Sequence, residues 1–283
     1  MPLFRRTDGD LIRDLPLVRR IMPYLMPTRS EAIVYHDTVY RIGPARAFLE
    51  RFNAARPEAP PATLFHLFLW GSARALHARP GLNRFVSGGH IYQRRGVFLS
   101  FAAKRAFADD APIVTCKVEL PEGESFSACV DRLSGSIEEG RSNKKKPVDK
   151  ELALTFLLPG FLVSFAVRLL RWLDRWNIMP RGMIEPDPMF ASLFAANLGS
   201  VGIDDVTHHL YEYGNVSLFG AMGKAGPAVV VGEDGAPAVA DVVKVRWSFD
   251  ERINDGFYCA ASLGLVREVM EDPARVLGEG AGG

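Results

Sequence analysis

The sequence predicts an α/β protein, because patterns typical of strands and of helices alternate along its 283 residues. The clearest example begins at Val243–Phe249, where apolar and polar residues alternate as in a strand buried on one face. A charged turn follows, and apolar residues then recur every fourth position over Phe257–Val269 until Pro273 ends the helix. A hydrophobic content of 48% is sufficient for a substantial core.

The other elements are predicted from the same two periodicities. Strand-like patterns occur at 32–41, within 87–104 and at 111–120. Helical patterns occur at 44–53, 63–77 and 125–141. We expect Thr63 to cap its helix, and the segment 87–104 to be a hairpin that turns near Arg94–Gly96. Three prolines within 15–32 predict short helical turns there instead of one helix.

Charge and cysteine usage restrict the function. A net charge of +1 gives no overall field to attract nucleic acid, and no nucleic-acid partner is expected. Three cysteines, far apart and without metal-ligand spacing, predict a reducing compartment and no metal site. The first sixteen residues lack the apolar core of a signal peptide, so we expect a cytoplasmic protein.

A basic and apolar segment at 141–190 interrupts the alternation of strands and helices. It begins with a basic run, and residues 161–176 then predict a helix with aromatic residues on one face and arginines on another. Pro159 and the arginines interrupt the apolar stretch, which excludes a transmembrane helix. The amphipathic helix is expected to pack on its own domain or a sister subunit, to dock on a membrane surface, or to contact a long acyl chain.

Several short motifs are similar to those of one known family. Asp255 and Gly256 open the last helix, which ends at 271–273 as Glu-Asp-Pro, and Asn197–Gly199 reads Asn-Leu-Gly after a strand. A Pro-x-x-Asn turn at 80–83 follows the apolar helix. Together these motifs resemble the acyltransferase catalytic domain of 2-oxoacid dehydrogenase complexes, a member of the chloramphenicol acetyltransferase-like superfamily.

The resemblance implies an architecture. Members of this family form a two-layer α/β sandwich with a mixed β-sheet, and they assemble as homotrimers or larger homo-oligomers with active sites between subunits. The implied domain covers residues 16–275, with a helical insertion at about 141–190, an N-terminal arm at 1–15 and a flexible tail at 276–283. Because only about fifteen residues precede the domain, we expect no covalent lipoyl group on this chain.

The sequence departs from the family at two positions that carry chemistry. The family's motif histidine, four residues before the Asp-Gly, is replaced by Glu251, and the serine that stabilises the tetrahedral intermediate is replaced by Ala196. The histidine accepts the proton of a thiol, either of coenzyme A or of dihydrolipoamide. Transfer of that proton to a carboxylate is about 3 kcal/mol less favourable than to an imidazole, unless burial raises the carboxylate pKa.

The sequence therefore predicts an acyltransferase that moves an acyl group to or from coenzyme A, with a small-molecule thioester as substrate and altered chemistry. Glu251 is the predicted atypical base or orienting group. Asp255 holds the loop by pairing with Arg19, Arg20 or Arg252, and Asn197 or Ser200 lies near the oxyanion. Substrate contacts are predicted for Ser200, His208 and His209, the two histidines pointing to opposite faces. The alternative is a catalytically inactive oligomeric scaffold or acyl-CoA binding protein.

Overall fold

The computed structural model describes residues 4–104, 113–141, 159–204, 206–232 and 234–278, and these residues form the predicted α/β fold. The strands are β1 (Gly9–Leu11), β2 (Ile33–Arg41), β3 (Arg84–Ser87), β4 (His90–Arg94), β5 (Phe98–Lys104), β6 (Ile113–Glu119), β7 (Leu193–Asn197), β8 (Leu218–Met222), β9 (Gly226–Val231) and β10 (Pro237–Asp250). The α-helices are α1 (Leu17–Leu25), α2 (Gly43–Ala54), α3 (Leu64–Ala78), α4 (Phe126–Arg141), α5 (Gly160–Arg175), α6 (Arg181–Ile184), α7 (Gly256–Glu271) and α8 (Pro273–Leu277). The basic run at the start of the predicted insertion begins at residue 141, and the part of it after residue 141 lies outside the described residues.

A seven-stranded sheet forms the framework, with strand order β2-β10-β8-β7-β5-β6 and with β9 paired to β10. The pairs β5–β7 and β7–β8 are parallel, and the other pairs in this sheet are antiparallel. The sheet is therefore mixed, as the resemblance implied.

Helices cover one face of this sheet and form the second layer. The main core joins residues of α2, α3, α4 and α7 to alternate residues of β10, such as Val245 and Trp247. Helices α3 and α7 lie in close contact, since a β-carbon on Gly71 would lie 3.1 Å from Val269. Thr63 caps α3 as predicted, and burial lowers the pKa of its capping-box partner His66 to about 4. The close packing fixes α7, and with it the turn that precedes α7.

Loops cover the opposite face of the sheet. A second apolar cluster there includes Phe194 of β7 and Phe219 of β8, whose rings stack 5.4 Å apart. Leu210 and Val216 belong to the same cluster and come from the stretch 207–217, which contains neither helix nor strand. The two faces of the sheet thus have different coverings, helical on one side and irregular on the other.

A second, three-stranded sheet has the order β1-β4-β3, and it corrects the predicted hairpin. The chain turns at Gly88–Gly89, where both residues have positive φ, and not near Arg94–Gly96. Strand β5 belongs to the large sheet, because residues 95–97 carry the chain from one sheet to the other. Part of the predicted N-terminal arm, Gly9–Leu11, is the edge strand of this small sheet.

The proline-rich segment is also more regular than predicted. It contains one nine-residue helix, α1, with Pro23 inside it. A proline at this position removes a single backbone hydrogen bond, and the helix still closes with the N–H of Met26 donating to the carbonyl of Met22. The other two prolines flank the helix, at its N-cap and after its C-cap.

Candidate active site

The turn between β10 and α7 holds the predicted base. Its first residue, Asp250, is fully buried and makes a bidentate ion pair with Arg252, at 2.8 Å to Nε and 2.7 Å to Nη2. Arg252 also donates to the carbonyl of Met26 just after α1. Two buried, mutually paired charges therefore fix the backbone on both sides of Glu251.

Glu251 is held through its main chain. Its N–H donates to the carbonyl of Ala32 at 2.9 Å, and its carbonyl accepts from Arg19 of α1 at 2.7 Å. The side chain is half-buried, and the described residues offer its carboxylate no ion pair. Arg252, the next residue in the chain, is paired with Asp250. The position of residue 251 is thus fixed while its carboxylate remains available.

Asp255 serves as the N-cap of α7. Its side chain accepts from the backbone N–H of Tyr258 at 2.8 Å, and Arg19 lies 3.9 Å from its other oxygen. Of the three arginines considered for Asp255, Arg19 is therefore the one in range. Because Asp255 is 60% exposed at its side chain, this ion pair contributes little, and the cap is the main interaction.

The Pro-x-x-Asn turn at 80–83 packs against the same loop. The Tyr258 hydroxyl accepts from the N–H of Gly81 at 3.0 Å, and the Arg79 guanidinium lies over the Tyr258 ring at 4.0 Å. A β-carbon on Gly81 would lie 2.5 Å from the Asn254 amide nitrogen, so a larger residue here would displace the Asn254 and Tyr258 side chains. The two family-like motifs at 80–83 and 254–258 thus support each other.

Cys259, in the first turn of α7, is not positioned as a nucleophile. It is buried, and burial raises the pKa of its thiol to about 12, with the charge of Asp255 acting in the same direction. A thiol with such a pKa is protonated at neutral pH and unreactive. The described residues also contain no cluster of three or more metal-ligating side chains.

The Asn-Leu-Gly segment lies at the end of β7 and is held by local hydrogen bonds between Asn197 and Ser200. The Asn197 side-chain oxygen accepts from the N–H of Ser200, and the Ser200 hydroxyl donates to the carbonyl of Asn197 at 2.7 Å. Gly199 approaches β8 closely, since a β-carbon there would lie 2.6 Å from the carbonyl oxygen of Gly223. Ala196, at the position expected for a serine, packs its methyl group against the second apolar cluster.

Within one chain the two halves of the predicted site lie far apart. Ala196 pairs with Ala221, and Ala221 pairs with Arg246, so Glu251 is two strands away and five residues further along β10. At about 3.4 Å per residue and about 4.8 Å between strands, the separation is about 20 Å. Asn197 and Ser200 are therefore not brought to Glu251 by the fold of a single chain.

The two histidines do not point to opposite faces as predicted. Their rings stack 4.7 Å apart, because His208 Nδ1–H donates to the carbonyl of His209 and the local chain is not a strand. The His208 ring also stacks on Phe219 at 4.0 Å, and half-burial lowers its pKa. Ser248, three residues before Glu251, donates its hydroxyl proton to the His208 carbonyl. This histidine pair therefore belongs to the loop-covered face of the sheet.

Sequence reasoning missed Arg29, which organises the loop beside the turn. Arg29 is buried and donates to the carbonyls of Tyr211, Glu212 and Gly214. Burial lowers the pKa of its guanidinium, with the charge of Asp250 opposing that effect. No local pattern marks Arg29, because all its partners are distant in sequence.

A cleft of about 400 Å³ lies next to the turn. Arg252 and Arg29 line one side of it, and Arg171 and Trp172 of α5 line another. The inserted helix and the candidate active-site turn are therefore neighbours across a single cleft.

Comparison with known proteins shows that part of this chain is similar to acyltransferase catalytic domains. Residues 183–278, about a third of the chain, match the family model described as 2-oxoacid dehydrogenases acyltransferase (catalytic domain). The matched segment contains the last helix, the Asn-Leu-Gly motif and the turn around Glu251. No curated protein sequence matches the chain.

Solved structures show the same fold at low sequence identity. The cubic core of the pyruvate dehydrogenase multienzyme complex matches with a TM-score of 0.58 and 15% identity, over 98% of this chain and 100% of that chain. A dihydrolipoamide acetyltransferase from Azotobacter vinelandii was studied for the role of a serine, a histidine and an asparagine in its catalytic mechanism. It matches with a TM-score of 0.56 and 16% identity, over 98% of this chain and 100% of that chain. A chloramphenicol acetyltransferase matches with a TM-score of 0.55 and 11% identity, over 93% of this chain and 100% of that chain. The resemblance inferred from the sequence is thereby confirmed.

Proposed function

We propose that this protein transfers an acyl group to or from coenzyme A, with Glu251 as the general base. The observation that carries the proposal is the way in which the turn 250–256 holds Glu251. Main-chain hydrogen bonds and the buried Asp250–Arg252 pair fix its backbone, and its carboxylate has no ion pair among the described residues. The matching family model supports acyl transfer as the reaction class.

The proposed step is simple proton and acyl exchange. The Glu251 carboxylate accepts the proton of a thiol, and the resulting sulfur attacks the carbonyl of a small-molecule thioester. A new C–S bond forms, the old C–S bond breaks, and the leaving thiolate takes up the proton from Glu251. Asp255 acts only as a positioning residue, because its cap fixes the start of α7.

We further infer a homotrimer or larger homo-oligomer in which the end of β7 from one copy faces the turn of another. The separation of about 20 Å within one chain supports this arrangement, since Asn197 and Ser200 reach Glu251 only if a second copy supplies them. In that assembly Asn197 is the candidate oxyanion donor, and Ser200, His208 and His209 are candidate substrate contacts. A cytoplasmic location with its supply of acyl-CoA fits this function.

A second candidate function is an oligomeric scaffold or acyl-CoA binding protein without catalysis. Ala196 has no hydroxyl to donate, and the Ser200 hydroxyl already donates within its own segment. Loss of one oxyanion donor typically costs about 3 kcal/mol of transition-state stabilisation. Together with a weaker base, this loss is the observation that favours the inactive alternative.

Acyl transfer from a panel of short and long acyl-CoA esters to dihydrolipoamide, followed as formation of the new thioester by chromatography, distinguishes the two functions. Exchange between two thiols leaves the total number of free thiols unchanged, so the product itself is measured. For an acyltransferase we expect transfer above buffer, reduced by about 100-fold or more in Glu251→Gln, because a positioned base contributes that much. Glu58→Gln, at an exposed glutamate outside the site, is the matched control and should retain full activity. Transfer from no ester, combined with measurable acyl-CoA binding, would instead establish the scaffold or binding protein.

A further inference from the structure

The inserted helix α5 lies entirely at the surface. None of its sixteen residues is buried, although its sequence is strongly amphipathic. Large apolar side chains point to solvent, with Phe161 72%, Phe165 62% and Trp172 51% exposed. Aromatic surface of this size is uncommon on a soluble monomer and marks an interaction site.

The helix is nevertheless fixed in orientation. Leu170 and Leu173 pack against a small apolar cluster that contains Phe190, and Asp174 forms an ion pair with the buried Arg6 at 2.6 Å. Gly88 of the β3–β4 turn lies so close that a β-carbon there would be 2.3 Å from the carbonyl oxygen of Arg175. The outward direction of the aromatic residues is therefore a property of the fold.

Positive charge runs beside the aromatic strip. At 3.6 residues per turn, Arg168, Arg171 and Arg175 occupy the sector of the helix next to Phe161 and Trp172, and all three arginines are exposed. Asp174 is the sole acidic residue of α5, and it faces inward to Arg6. The outer surface of α5 thus combines an apolar strip with three cationic groups and no acidic group of its own.

We propose that α5 docks this protein on the surface of an anionic lipid bilayer, lying in the plane of the interface. Phenylalanine and tryptophan would enter the boundary between headgroups and acyl chains, and the arginines would meet anionic headgroups. No helix in the described part of the chain is long and apolar enough to cross a membrane.

Charge selects this occupant over a two-fold contact of α5 with the α5 of a second copy. A symmetric contact through α5 would bring the arginines of one copy against those of the other, and like charges in such a contact are unfavourable. An anionic bilayer supplies the opposite charge along the whole helix. The oligomeric acyltransferase proposed above is not needed for this inference.

The test is flotation of the purified full chain with vesicles of neutral phosphatidylcholine and with vesicles that contain 30% phosphatidylserine, a composition chosen as a probe. Binding is expected to the anionic vesicles, weakly or not at all to the neutral ones, and to decrease as salt is raised. The double variants Phe165→Ala with Trp172→Ala, and Arg168→Glu with Arg171→Glu, should each lose about tenfold or more in binding.

Val229→Ala with Val239→Ala is the matched control, since both valines are about as exposed as the α5 aromatics but lie on the β9–β10 hairpin. This control should bind vesicles like the original chain, and light scattering should give every variant the same oligomer size. Absence of anionic-vesicle binding overturns the proposal, as does equal loss in the control. An α5 variant that changes oligomer size, or loses only long-chain acyl-CoA binding, would also overturn it and assign the face to a subunit contact or an acyl chain.

Discussion

Two segments of this molecule form the two halves of the proposed active site, and they differ in what holds them. The turn 250–256 is held by a buried Asp250–Arg252 pair and an Asp255 cap, with Glu251 between them. The end of β7 is held by hydrogen bonds between Asn197 and Ser200 and by the close approach of Gly199 to Gly223, and its Ala196 has no hydroxyl to donate.

These contacts predict that stability and the proposed chemistry are separable in this fold. The turn is held by charges that lie on either side of Glu251, so we expect substitution of residue 251 to leave the turn intact. The end of β7 is held by the Asn197 and Ser200 side-chain bonds and a glycine contact, so we expect residue 196 to be variable as well.

The largest expected effect comes from breaking the buried pair. Asp250→Ala leaves Arg252 charged and unpaired in the interior, and we expect a loss of about 3–5 kcal/mol in the free energy of unfolding. Urea denaturation followed by circular dichroism measures this loss. Glu251→Gln, one residue away, should change the free energy of unfolding by less than about 0.5 kcal/mol. Similar losses in the two variants would contradict the separation of structure from chemistry.

The next effect concerns catalysis. Glu251→His supplies the more basic imidazole, and where proton transfer limits the rate, acyl transfer to coenzyme A should rise by about 100-fold, which corresponds to about 3 kcal/mol. Steady-state formation of acyl-CoA from the best acyl thioester, followed by chromatography, measures the change. Ala196→Ser in the same chain should add a further increase, because it returns an oxyanion donor. An unchanged rate in both variants would show that the base and the donor are not what limits this protein.

The smallest effect separates capping from charge at Asp255. Asp255→Ala should lower the free energy of unfolding by about 1 kcal/mol, because the first turn of α7 loses its acceptor. Asp255→Asn keeps an acceptor and loses only the exposed ion pair with Arg19, so its stability should stay within a few tenths of a kcal/mol. Thermal unfolding of the three proteins at one pH decides the question. A large loss in Asp255→Asn would mean that the Arg19 pair is the main interaction.

Much of the fold was predictable because its signals are local. The alternation at Val243–Phe249, the helix after the charged turn and the cap at Thr63 each depend on neighbours in sequence, and each is present in the structure. The periodicity predicted the wrong face of α7, because Phe257 is 86% exposed and the helix packs through Cys259, Leu263, Val266 and Val269 instead. The hairpin was misplaced because the turn depends on which sheet each strand joins. Gly88–Gly89, a two-glycine signal between apolar runs, was the local indication that would have located it.

The site was less predictable because it depends on distant partners. Residues 250–256 were correctly recognised as a turn, yet the support of Glu251 by Arg19 and of the neighbouring loop by Arg29 joins segments more than 180 residues apart. The stacking of His208 on His209 likewise follows from an irregular loop over Phe219, where strand geometry does not apply. Sequence alone indicated candidate residues but not which of them meet, and it gave no indication of Arg29.

The burial of the three cysteines means that the protein's own thiols contribute little signal when free thiols are measured. Cys116, Cys129 and Cys259 are all buried, and burial raises the pKa of both Cys129 and Cys259 to about 12. A colorimetric reagent added to the native protein should therefore react slowly with the chain and rapidly with free coenzyme A. The same reagent would detect unfolding, because every cysteine becomes reactive once the core opens.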